Sequence, residues 1–271
     1  MLAHLKELQN LNSKLVLITG ASSGLGELVA YEMAERGANV VLCARNVTAL
    51  RKVAEKCKSL SQGNAYVVKL DVSDPKAIDQ QLGHVLRDFG PVDVLVNSAG
   101  FGIFEPFQTM PMEKVEAMFR VNVLGLMYVT RRIAQQMITR NRGQIFNIAS
   151  VAGKIATPKS TAYSATKFAI IGFSNALRLE LRPLGIQVTT VNPGPMATNF
   201  FKQADPSGNY FESVKLLALS PQKVARQISE AVGRRRREIN APLYMEVIHR
   251  GYELFPNLGD YLAGSSFFNR K

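Results

Sequence analysis

Short apolar runs recur along the chain, and longer stretches with apolar residues at every third or fourth position separate them. The first run, residues 14–19 (KLVLIT), lacks polar alternation, which is typical of a parallel strand buried on both faces. Residues 25–36 then place apolar side chains on one side, and Gly37 follows the last turn. This pattern predicts a strand followed by a helix that ends at a glycine.

The same unit repeats along the chain. Strands that alternate with helices of this length form right-handed βαβ units. The sequence therefore predicts an α/β fold of the Rossmann type, which is a doubly wound parallel sheet of six to seven strands with helices on both faces. The further strands are predicted at residues 39–44, 65–70, 92–96, 144–148 and 186–191, with a seventh at 238–241.

No linker, repeat or shift in composition interrupts the chain before Arg234. We predict a single domain over residues 1–271, with its core at 14–232 and a C-terminal extension at 233–271. Residues 1–13 predict a short leading helix rather than a secretory signal, because they lack a long apolar stretch.

The composition is that of an ordinary globular domain. The 271 residues are 46% hydrophobic and 20% charged, with a mean hydropathy of +0.00. No run approaches the roughly eighteen apolar residues of a membrane span. Cys43 lies in an apolar run that suits a buried free thiol, and only one other cysteine is present. We therefore expect a reducing, cytoplasmic location.

The chain is strongly basic, with a net charge of +12. Its basic residues are nonetheless spread along the sequence, apart from a cluster around Arg51 and the run at residues 234–237. No helix-turn-helix, zinc-ligand or RNA-binding pattern accompanies the charge. We expect an anionic small ligand, no nucleic-acid partner and no bound metal.

A glycine-rich turn, TGASSGLG at residues 19–26, follows the first predicted strand and leads directly into the first helix. Gly20 permits a backbone geometry that a side chain obstructs, Gly24 lets the main chain approach a pyrophosphate, and Gly26 allows close packing of helix on strand. The unpaired N–H groups of the helix N-terminus favour an anion there. The alternative is a plain glycine-rich turn, which the motif alone does not exclude.

The residues after the second strand bear on the choice of dinucleotide. Folds that bind NAD(H) usually carry a carboxylate here, whereas this chain has Arg45 and no acidic residue. A guanidinium offers paired N–H donors to a 2′-phosphate. We therefore predict NADP(H) in preference to NAD(H), with Ser22 as an additional hydroxyl contact. The alternative is that Arg45 only starts the basic face of the next helix.

Tyr163 and Lys167 are four residues apart, which places both on one face of a helix. Ser150 ends a predicted strand at the sheet edge where open α/β sheets bind ligands. A phenol is a poor base at neutral pH, and a neighbouring ammonium favours its phenolate form. With Ser150 holding the substrate oxygen, these residues suit carbonyl reduction or alcohol oxidation by a nicotinamide.

From Lys14 to about Val232 the chain closely resembles the short-chain dehydrogenase/reductase family, in its single-domain length class. One small polar residue departs from the family pattern, because Ser98 stands where an asparagine is frequent. The matching motifs occur in family order and are TGxxxGxG from Thr19, Asp71, NSAG from Asn97, Asn122, Ser150, YxxxK from Tyr163, and Pro193-Gly194.

The resemblance implies a catalytic tetrad of Asn122, Ser150, Tyr163 and Lys167. Tyr163 is then the general acid/base, Lys167 also binds the nicotinamide ribose, and Asn122 helps to hold a water that links Lys167 to solvent. The residues expected at the cofactor are Gly20, Ser22, Ser23, Gly24, Leu25, Gly26, Arg45, Asp71, Val72, Asn97, Ala99, Gly100, Tyr163, Lys167, Pro193, Gly194 and Thr198.

Two of these residues have structural alternatives. By the resemblance Asp71 and Val72 flank the adenine, but Asp71 is also a capping residue type shortly before Pro75, where a helix is expected to start. Asn97 is also a common turn residue.

Residues 195–220 occupy the place of the family's substrate loop. Their apolar content suggests a small hydrophobic carbonyl compound or alcohol as substrate, unless these side chains only close a flexible lid. The resemblance also implies a homodimer or homotetramer that pairs helices around residues 113–140 and 162–181. The apolar residues of the loop are Met196, Phe200, Phe201, Tyr210, Phe211, Leu216 and Leu217.

The extension begins with four arginines and continues with apolar residues at helical spacing from Tyr244 to Phe255. Such an amphipathic helix beside arginines can bind an anionic membrane surface. We favour the alternative that it packs on its own domain, over the substrate cleft or against a partner subunit.

Three functions remain in competition. The leading one is an NADP(H)-dependent oxidoreductase that acts on hydrophobic carbonyl compounds or secondary alcohols. The second is a non-enzymatic NADPH-binding regulator or scaffold whose C-terminal tail binds a membrane or a partner. The third is membrane-surface binding as the main role. A complete set of catalytic residues favours the enzyme, because a sensor does not need a tyrosine acid/base.

Overall fold

The computed structural model describes residues 2–198, 200–205 and 218–264. Its centre is a seven-stranded parallel sheet in the order β3-β2-β1-β4-β5-β6-β7. The strands are β1 (Leu15–Thr19), β2 (Asn39–Ala44), β3 (Ala65–Lys69), β4 (Val94–Asn97), β5 (Gly143–Ile148), β6 (Ile186–Pro193) and β7 (Glu238–Ala241).

Helices cover both faces of this sheet. A π-helical turn, Arg120–Gly125, joins α5 to α6 in one continuous helix. The helices are α1 (Leu2–Glu7), α2 (Gly24–Glu35), α3 (Val47–Leu60), α4 (Pro75–Asp88), α5 (Met112–Phe119), α6 (Leu126–Thr139), α7 (Thr161–Leu181), α8 (Phe200–Ala204), α9 (Pro221–Glu230), α10 (Tyr244–Leu254) and α11 (Pro256–Gly264).

The side chains of β1 show why the strands are continuously apolar. Val16 and Ile18 are fully buried in a core cluster with α2, α3 and α9. Leu17 points to the opposite face and is fully buried in a second cluster with α4 and α6. Because helices cover both faces, alternate positions of the strand are equally buried. This confirms the prediction of a doubly wound sheet.

The predicted elements agree with the structure to within a few residues at their ends. The leading helix is observed at Leu2–Glu7, and Gly37 follows the first crossover helix at a φ of +84°. β4 begins at Val94, two residues later than predicted, although the Asp93 backbone still bonds to Leu15 and Gln144 in the neighbouring strands. Such differences are normal at the ends of elements.

The C-terminal extension contributes to the sheet before it forms helices. β7 pairs with β6 from Thr190 opposite Glu238 onward, so the sheet continues beyond residue 232, where the sequence placed the end of the core. The helices α10 and α11 follow β7, and many of their apolar side chains are exposed, Leu254 by 74% and Tyr261 by 76%. No described helix is long and apolar enough to cross a membrane.

Candidate active site

A cavity of about 1180 Å³ lies along the carboxyl ends of the strands. It includes the place between β1 and β4 where the strand order reverses, which is where open α/β sheets bind nucleotides. All the predicted site residues line this cavity except Asn97 and Asn122. The fold therefore brings together side chains from motifs that are up to 178 residues apart, Gly20 and Thr198 being the outermost.

The glycine turn packs directly against the loop after β4. Gly20 has a φ of +68°, and a Cβ there would lie 2.8 Å from the Ala99 backbone nitrogen and Cα. A Cβ at Gly26 would collide with the carbonyl oxygen of Gly20. Thr19 tightens the same contact, because its Oγ1 accepts hydrogen bonds from the N–H groups of Ser98 at 3.1 Å and Ala99 at 3.2 Å. These two glycines are needed for close packing of turn, helix and loop.

The amino end of α2 faces the cavity without a side-chain cap. Its N-cap residue, Ser23, makes no capping hydrogen bond. The amino ends of α3 and α4 are capped by the side chains of Asn46 and Asp74. The first N–H groups of α2 are therefore available to an anion at the end of the helix that the glycine turn begins.

Arg45 lies at the end of β2 and lines the cavity beside the loop after β3. The next helix begins at Val47 with Asn46 as its N-cap, so Arg45 does not start the basic face of that helix. The Arg45 side chain is exposed at the cavity mouth, where its charge acts on Asp71.

Asp71 accepts hydrogen bonds from the backbone N–H and the hydroxyl of Ser73, at 2.9 and 2.7 Å. Partial burial alone would raise the pKa of Asp71, but these hydrogen bonds and the charge of Arg45 outweigh it and lower the pKa below its usual value. The helix-cap alternative for Asp71 is wrong, because Asp74 caps α4 through the N–H groups of Lys76 and Ala77.

Tyr163 and Lys167 both lie on the buried face of α7. The Lys167 ammonium is 5.5 Å from the centre of the Tyr163 ring, and its Nζ donates a hydrogen bond to the Ile148 carbonyl oxygen at 3.0 Å. Burial lowers the pKa of Lys167 to about 8, because water is excluded from the charged form.

Ser150 is held at the end of β5 by its own turn. It is the N-cap of a short 3₁₀ turn, Val151–Gly153, and its Oγ accepts a hydrogen bond from the Ala152 N–H at 3.1 Å. The hydroxyl also lies 3.4 Å from the Pro193 carbonyl oxygen on β6. Ser150 and Tyr163 thus line the same cavity from two separate elements.

Asn122 is fully buried in the π-helical turn and acts on the loop after β4. Its Oδ1 accepts a hydrogen bond from the Phe101 N–H at 3.0 Å, and its Nδ2 donates to the Phe101 carbonyl at 2.8 Å and to Thr166 Oγ1 at 3.1 Å. A π-helical turn widens the backbone locally and often marks a functional site. Asn122 therefore fixes the loop that carries Ala99 and Gly100.

Asn97 lies below the cavity rather than on its wall. Its Nδ2 donates hydrogen bonds to Thr130 Oγ1 at 2.8 Å and to Asn147 Oδ1 at 2.9 Å. Asn147 is its register partner on β5 and donates in turn to Ser174 Oγ at 2.9 Å. Asn97 therefore belongs to a chain of buried polar side chains that links β4 and β5 to α6 and α7. It is the last residue of β4 and has this structural role in addition to its place before the turn.

Aromatic rings that line the cavity pack around Tyr163. Phe104 makes an edge contact with the Tyr163 ring at 5.5 Å between centroids, and Phe200 lies 5.6 Å from it. Phe104 also stacks on Phe201 at 6.1 Å. Tyr210, Phe211, Leu216 and Leu217, which the sequence assigned to the same loop, lie outside the described residues.

The sequence analysis missed several lining residues. Phe101 and Phe104 follow the NSAG motif, and Ile155 follows the Ser150 turn. Their position just after strand ends was the available signal, since loops at the carboxyl edge of a parallel sheet line its cleft. From the extension, Tyr244, Met245 and Ile248 also line the cavity.

Cys43 and Cys57 are both buried and free. Burial raises the pKa of each thiol to about 12, so neither is a thiolate at neutral pH. The described residues contain no group of three or more acidic, histidine or cysteine side chains that could hold a metal ion.

Known proteins resemble the chain in sequence and in structure. A family model described as short chain dehydrogenase matches residues 14–208. Dehydrogenase/reductase SDR family member 7B from Mus musculus is 32% identical over 246 residues, which are 88% of this chain and 76% of that protein.

Two solved structures share the fold. A variant of actinorhodin polyketide ketoreductase with NADPH superposes with a TM-score of 0.75 at 28% identity, covering 84% of this chain and 95% of that one. A short-chain dehydrogenase/reductase from Burkholderia phymatum in complex with NAD superposes with a TM-score of 0.84 at 24% identity, covering 92% and 96%.

The family model spans well over half of the sequence, and the mouse relative extends the match over most of the remainder. The parallel sheet and its carboxyl-edge cavity agree with that match. The chain therefore belongs to the short-chain dehydrogenase/reductase family of NAD(P)-dependent oxidoreductases.

Proposed function

We propose that this oxidoreductase uses NADP(H) to interconvert hydrophobic carbonyl compounds and secondary alcohols. The observation that carries the proposal is the meeting of Ser150, Tyr163 and Lys167 on one cavity, which Arg45 and the aromatic rings around Tyr163 also line. Polar catalytic groups beside an apolar wall suit a substrate with one reactive oxygen on a hydrophobic body.

The residues present fit a phosphorylated dinucleotide. The uncapped N–H groups at the start of α2 offer donors to a pyrophosphate, and a Cβ at Gly24 would have only Thr198 within 4 Å, so the main chain is open to a ligand there. Arg45 supplies a guanidinium for a 2′-phosphate. Asp71 and Val72 would hold the adenine, and Lys167 the nicotinamide ribose. When bound, the nicotinamide supplies or accepts the hydride.

The protein's own residues then handle the substrate oxygen and its proton. Ser150 Oγ binds the oxygen, and the Tyr163 hydroxyl donates a proton during reduction or accepts one during oxidation. Lys167 favours the phenolate form of Tyr163, because its buried ammonium lies 5.5 Å from the ring centre. Asn122 positions the loop beside them through its two hydrogen bonds to Phe101.

The test of the cofactor is a fluorescence titration with NADPH and NADH. We expect NADPH to bind at least tenfold more tightly, and Arg45→Ala to remove most of that difference by weakening NADPH alone. Arg51→Ala is the matched control, since Arg51 is exposed on the next helix and does not line the cavity. Equal affinities in the wild type would overturn the NADP(H) proposal and point towards alcohol oxidation with NAD.

The test of the chemistry is Tyr163→Phe on a panel of hydrophobic ketones and aldehydes. We expect turnover to fall by roughly 10²–10⁴-fold, since the acid/base is removed, with NADPH affinity retained. Retained turnover would refute the role of Tyr163. Tight NADPH binding by the wild type without turnover of any carbonyl would instead favour a cofactor-binding regulator or scaffold.

The exposed apolar side chains of α10 and α11 are the observation that favours the second candidate. In the described residues, nine of the eighteen exposed large apolar side chains lie between Leu243 and Leu262. Such a patch is typical of a surface that meets a partner or a membrane. Sedimentation with liposomes, compared between the full chain and a truncation after Ala241, tests the membrane version of this candidate.

A further inference from the structure

A buried ion cluster lies just outside the cavity, between the Ser150 turn and the C-terminal extension. Lys154 is 8% exposed, and its Nζ lies 2.6 Å from Glu238 Oε2 and 2.8 Å from Glu246 Oε2. Lys154 directly follows the 3₁₀ turn that Ser150 begins, Glu238 is the first residue of β7, and Glu246 is in the first turn of α10. One ammonium therefore joins three elements.

Two asparagines complete the cluster. Asn240 Nδ2 donates a hydrogen bond to Glu246 Oε2 at 2.8 Å. Asn192 Nδ2 donates to Asn240 Oδ1 at 2.7 Å and to Glu238 Oε2 at 3.2 Å. Each carboxylate is thus satisfied by more than the ammonium, which is the condition under which buried charges are tolerated. None of the five side chains lines the cavity.

The helix α10 has few other polar ties to the domain. No described residue of α10 is buried. Its other side-chain hydrogen bonds and ion pairs among the described residues stay within the extension: His249 with Glu253, Arg250 with Glu246, and Tyr252 with Asp260 on α11. Among the described residues of α10, Glu246 is the side chain whose hydrogen bonds reach the body of the domain.

The same helix forms part of the cavity wall. Tyr244, Met245 and Ile248 line the cavity immediately around Glu246, and Ile155 lines it next to Lys154. A shift of α10 would therefore change the part of the cavity wall that is linked, through Lys154, to the Ser150 turn.

We propose that Lys154 is a positioning residue that, through Glu246, fixes α10 over the substrate side of the cavity and so determines how well bulky apolar substrates bind. The inference rests on the proposed function, because it assigns that side of the cavity to the substrate. Buried ion pairs contribute little net stability compared with apolar residues of the same volume. We therefore assign this cluster a role in positioning α10 rather than in stability.

The test uses the full chain with three variants. Glu246→Gln keeps the size of the side chain but removes its charge, Lys154→Met removes the ammonium, and Lys154→Arg restores a cation. Glu253→Gln is the matched control, because Glu253 lies on the same helix, is 64% exposed and pairs only with His249 among the described ion pairs. Hydrogen exchange of residues 244–254 is measured together with kinetics on methyl nonyl ketone and acetone.

In Glu246→Gln and Lys154→Met we expect amide exchange of α10 to rise about tenfold while the exchange of β5 and β6 is unchanged. We expect KM for methyl nonyl ketone to rise about tenfold with kcat within a factor of two, while KM for acetone and the NADPH affinity stay constant. Lys154→Arg should restore both measurements towards the wild type, and Glu253→Gln should match the wild type throughout.

Unchanged amide exchange of α10 in Glu246→Gln overturns the inference. Faster exchange of α10 with equal changes in KM for the two ketones overturns it as well. A merely structural role would lower stability and kcat for both ketones and would leave the KM ratio unchanged. The proposed function fails separately, if the wild type turns over neither ketone. In that case calorimetric titration of methyl nonyl ketone into the NADPH complex still decides the inference. The inference requires weaker binding of this ketone in Glu246→Gln and Lys154→Met than in the wild type, and unchanged binding in Glu253→Gln.

Discussion

Lys167, which we propose activates Tyr163, is a charged residue whose burial opposes folding. It is 5% exposed, and burial lowers its pKa from the ordinary 10.5 to about 8. At neutral pH the folded protein therefore holds an ammonium where water is excluded, and the unfolded chain holds the same charge in water. The transfer of this charge out of water opposes folding, as is usual for charged groups at functional sites.

Replacing Lys167 by methionine should therefore stabilise the protein at neutral pH while abolishing turnover. A pKa drop from 10.5 to about 8 corresponds to roughly 3 kcal/mol, reduced by about 1 kcal/mol for the lost hydrogen bond to Ile148. The Lys167 ammonium loses its proton near pH 8 in the folded protein and near pH 10.5 in the unfolded chain. Between these values the stability of the wild type therefore rises with pH relative to that of Lys167→Met.

Urea unfolding of the wild type and Lys167→Met at pH 7 and at pH 10 measures this difference. The advantage of the variant should be largest at pH 7 and close to zero or reversed at pH 10. An advantage of the same size at both values would mean that the buried charge is not its cause.

At the scale of elements, the glycine turn and α2 act as one unit with the loop after β4. Gly20 touches the Ala99 backbone, Gly26 touches Gly20, and Thr19 holds the N–H groups of Ser98 and Ala99. The sequence indicated the turn because strand, glycines and helix are contiguous. It did not indicate the second side of the contact, because Thr19 and Ala99 are 80 residues apart.

Gly26→Ala should separate the turn from α2. Its Cβ would collide with the Gly20 carbonyl oxygen, which cannot move without displacing the turn. We expect a loss of about 1–3 kcal/mol in the free energy of unfolding, as for other overpacked sites, and at least a tenfold loss of NADPH affinity. Chemical denaturation and cofactor fluorescence measure the two effects.

Gly172→Ala is the matched control for this substitution. Gly172 lies in the interior of α7, and a Cβ there would meet no atom within 4 Å. Alanine favours a helix over glycine by up to about 1 kcal/mol, so this variant should be slightly more stable than the wild type. Equal losses in both variants would show that the collision at Gly26 is not the cause.

At the scale of the whole molecule, most of the exposed large apolar side chains in the described residues lie on two surfaces. The first lies on α6 and α7 and on the π-helical turn, with Tyr128 exposed by 43%, Phe168 by 47% and Leu179 by 72%. The second is formed by the exposed apolar side chains between Leu243 and Leu262, at α10 and α11, some of which, such as Tyr244 and Ile248, also line the cavity. Exposed apolar side chains grouped in this way are typical of contacts between subunits or with other partners.

We expect the first surface to form the subunit interface of a homodimer or homotetramer. The double variant Tyr128→Glu with Phe168→Glu should then dissociate the assembly, because it places charge in an apolar contact. Leu243→Glu on the second surface is the control and should leave the assembly intact. Sedimentation equilibrium measures the mass, and a monomeric wild type would contradict the expectation.

The sequence predicted the candidate site unevenly, for identifiable reasons. Tyr163 and Lys167 were predictable because one helical turn separates them, and Ser150 because it ends an apolar run. Asn97 was placed at the cofactor, yet its amide serves the buried polar chain with Thr130 and Asn147. Which side of a strand end a polar residue faces depends on its neighbours across the sheet, and those come from distant parts of the chain.

The sequence by itself determined what contiguous residues decide: the parallel strands, the order of strands and helices, the glycine turn and the pair on α7. Only the tertiary structure decided which side chains meet across strand ends. The charge of Arg45 acts on Asp71 because β2 and β3 are neighbours, and Lys154 meets Glu238 and Glu246 across separations of 84 and 92 residues. Local spacing carries no information about such distances, because the packing of the whole sheet determines them.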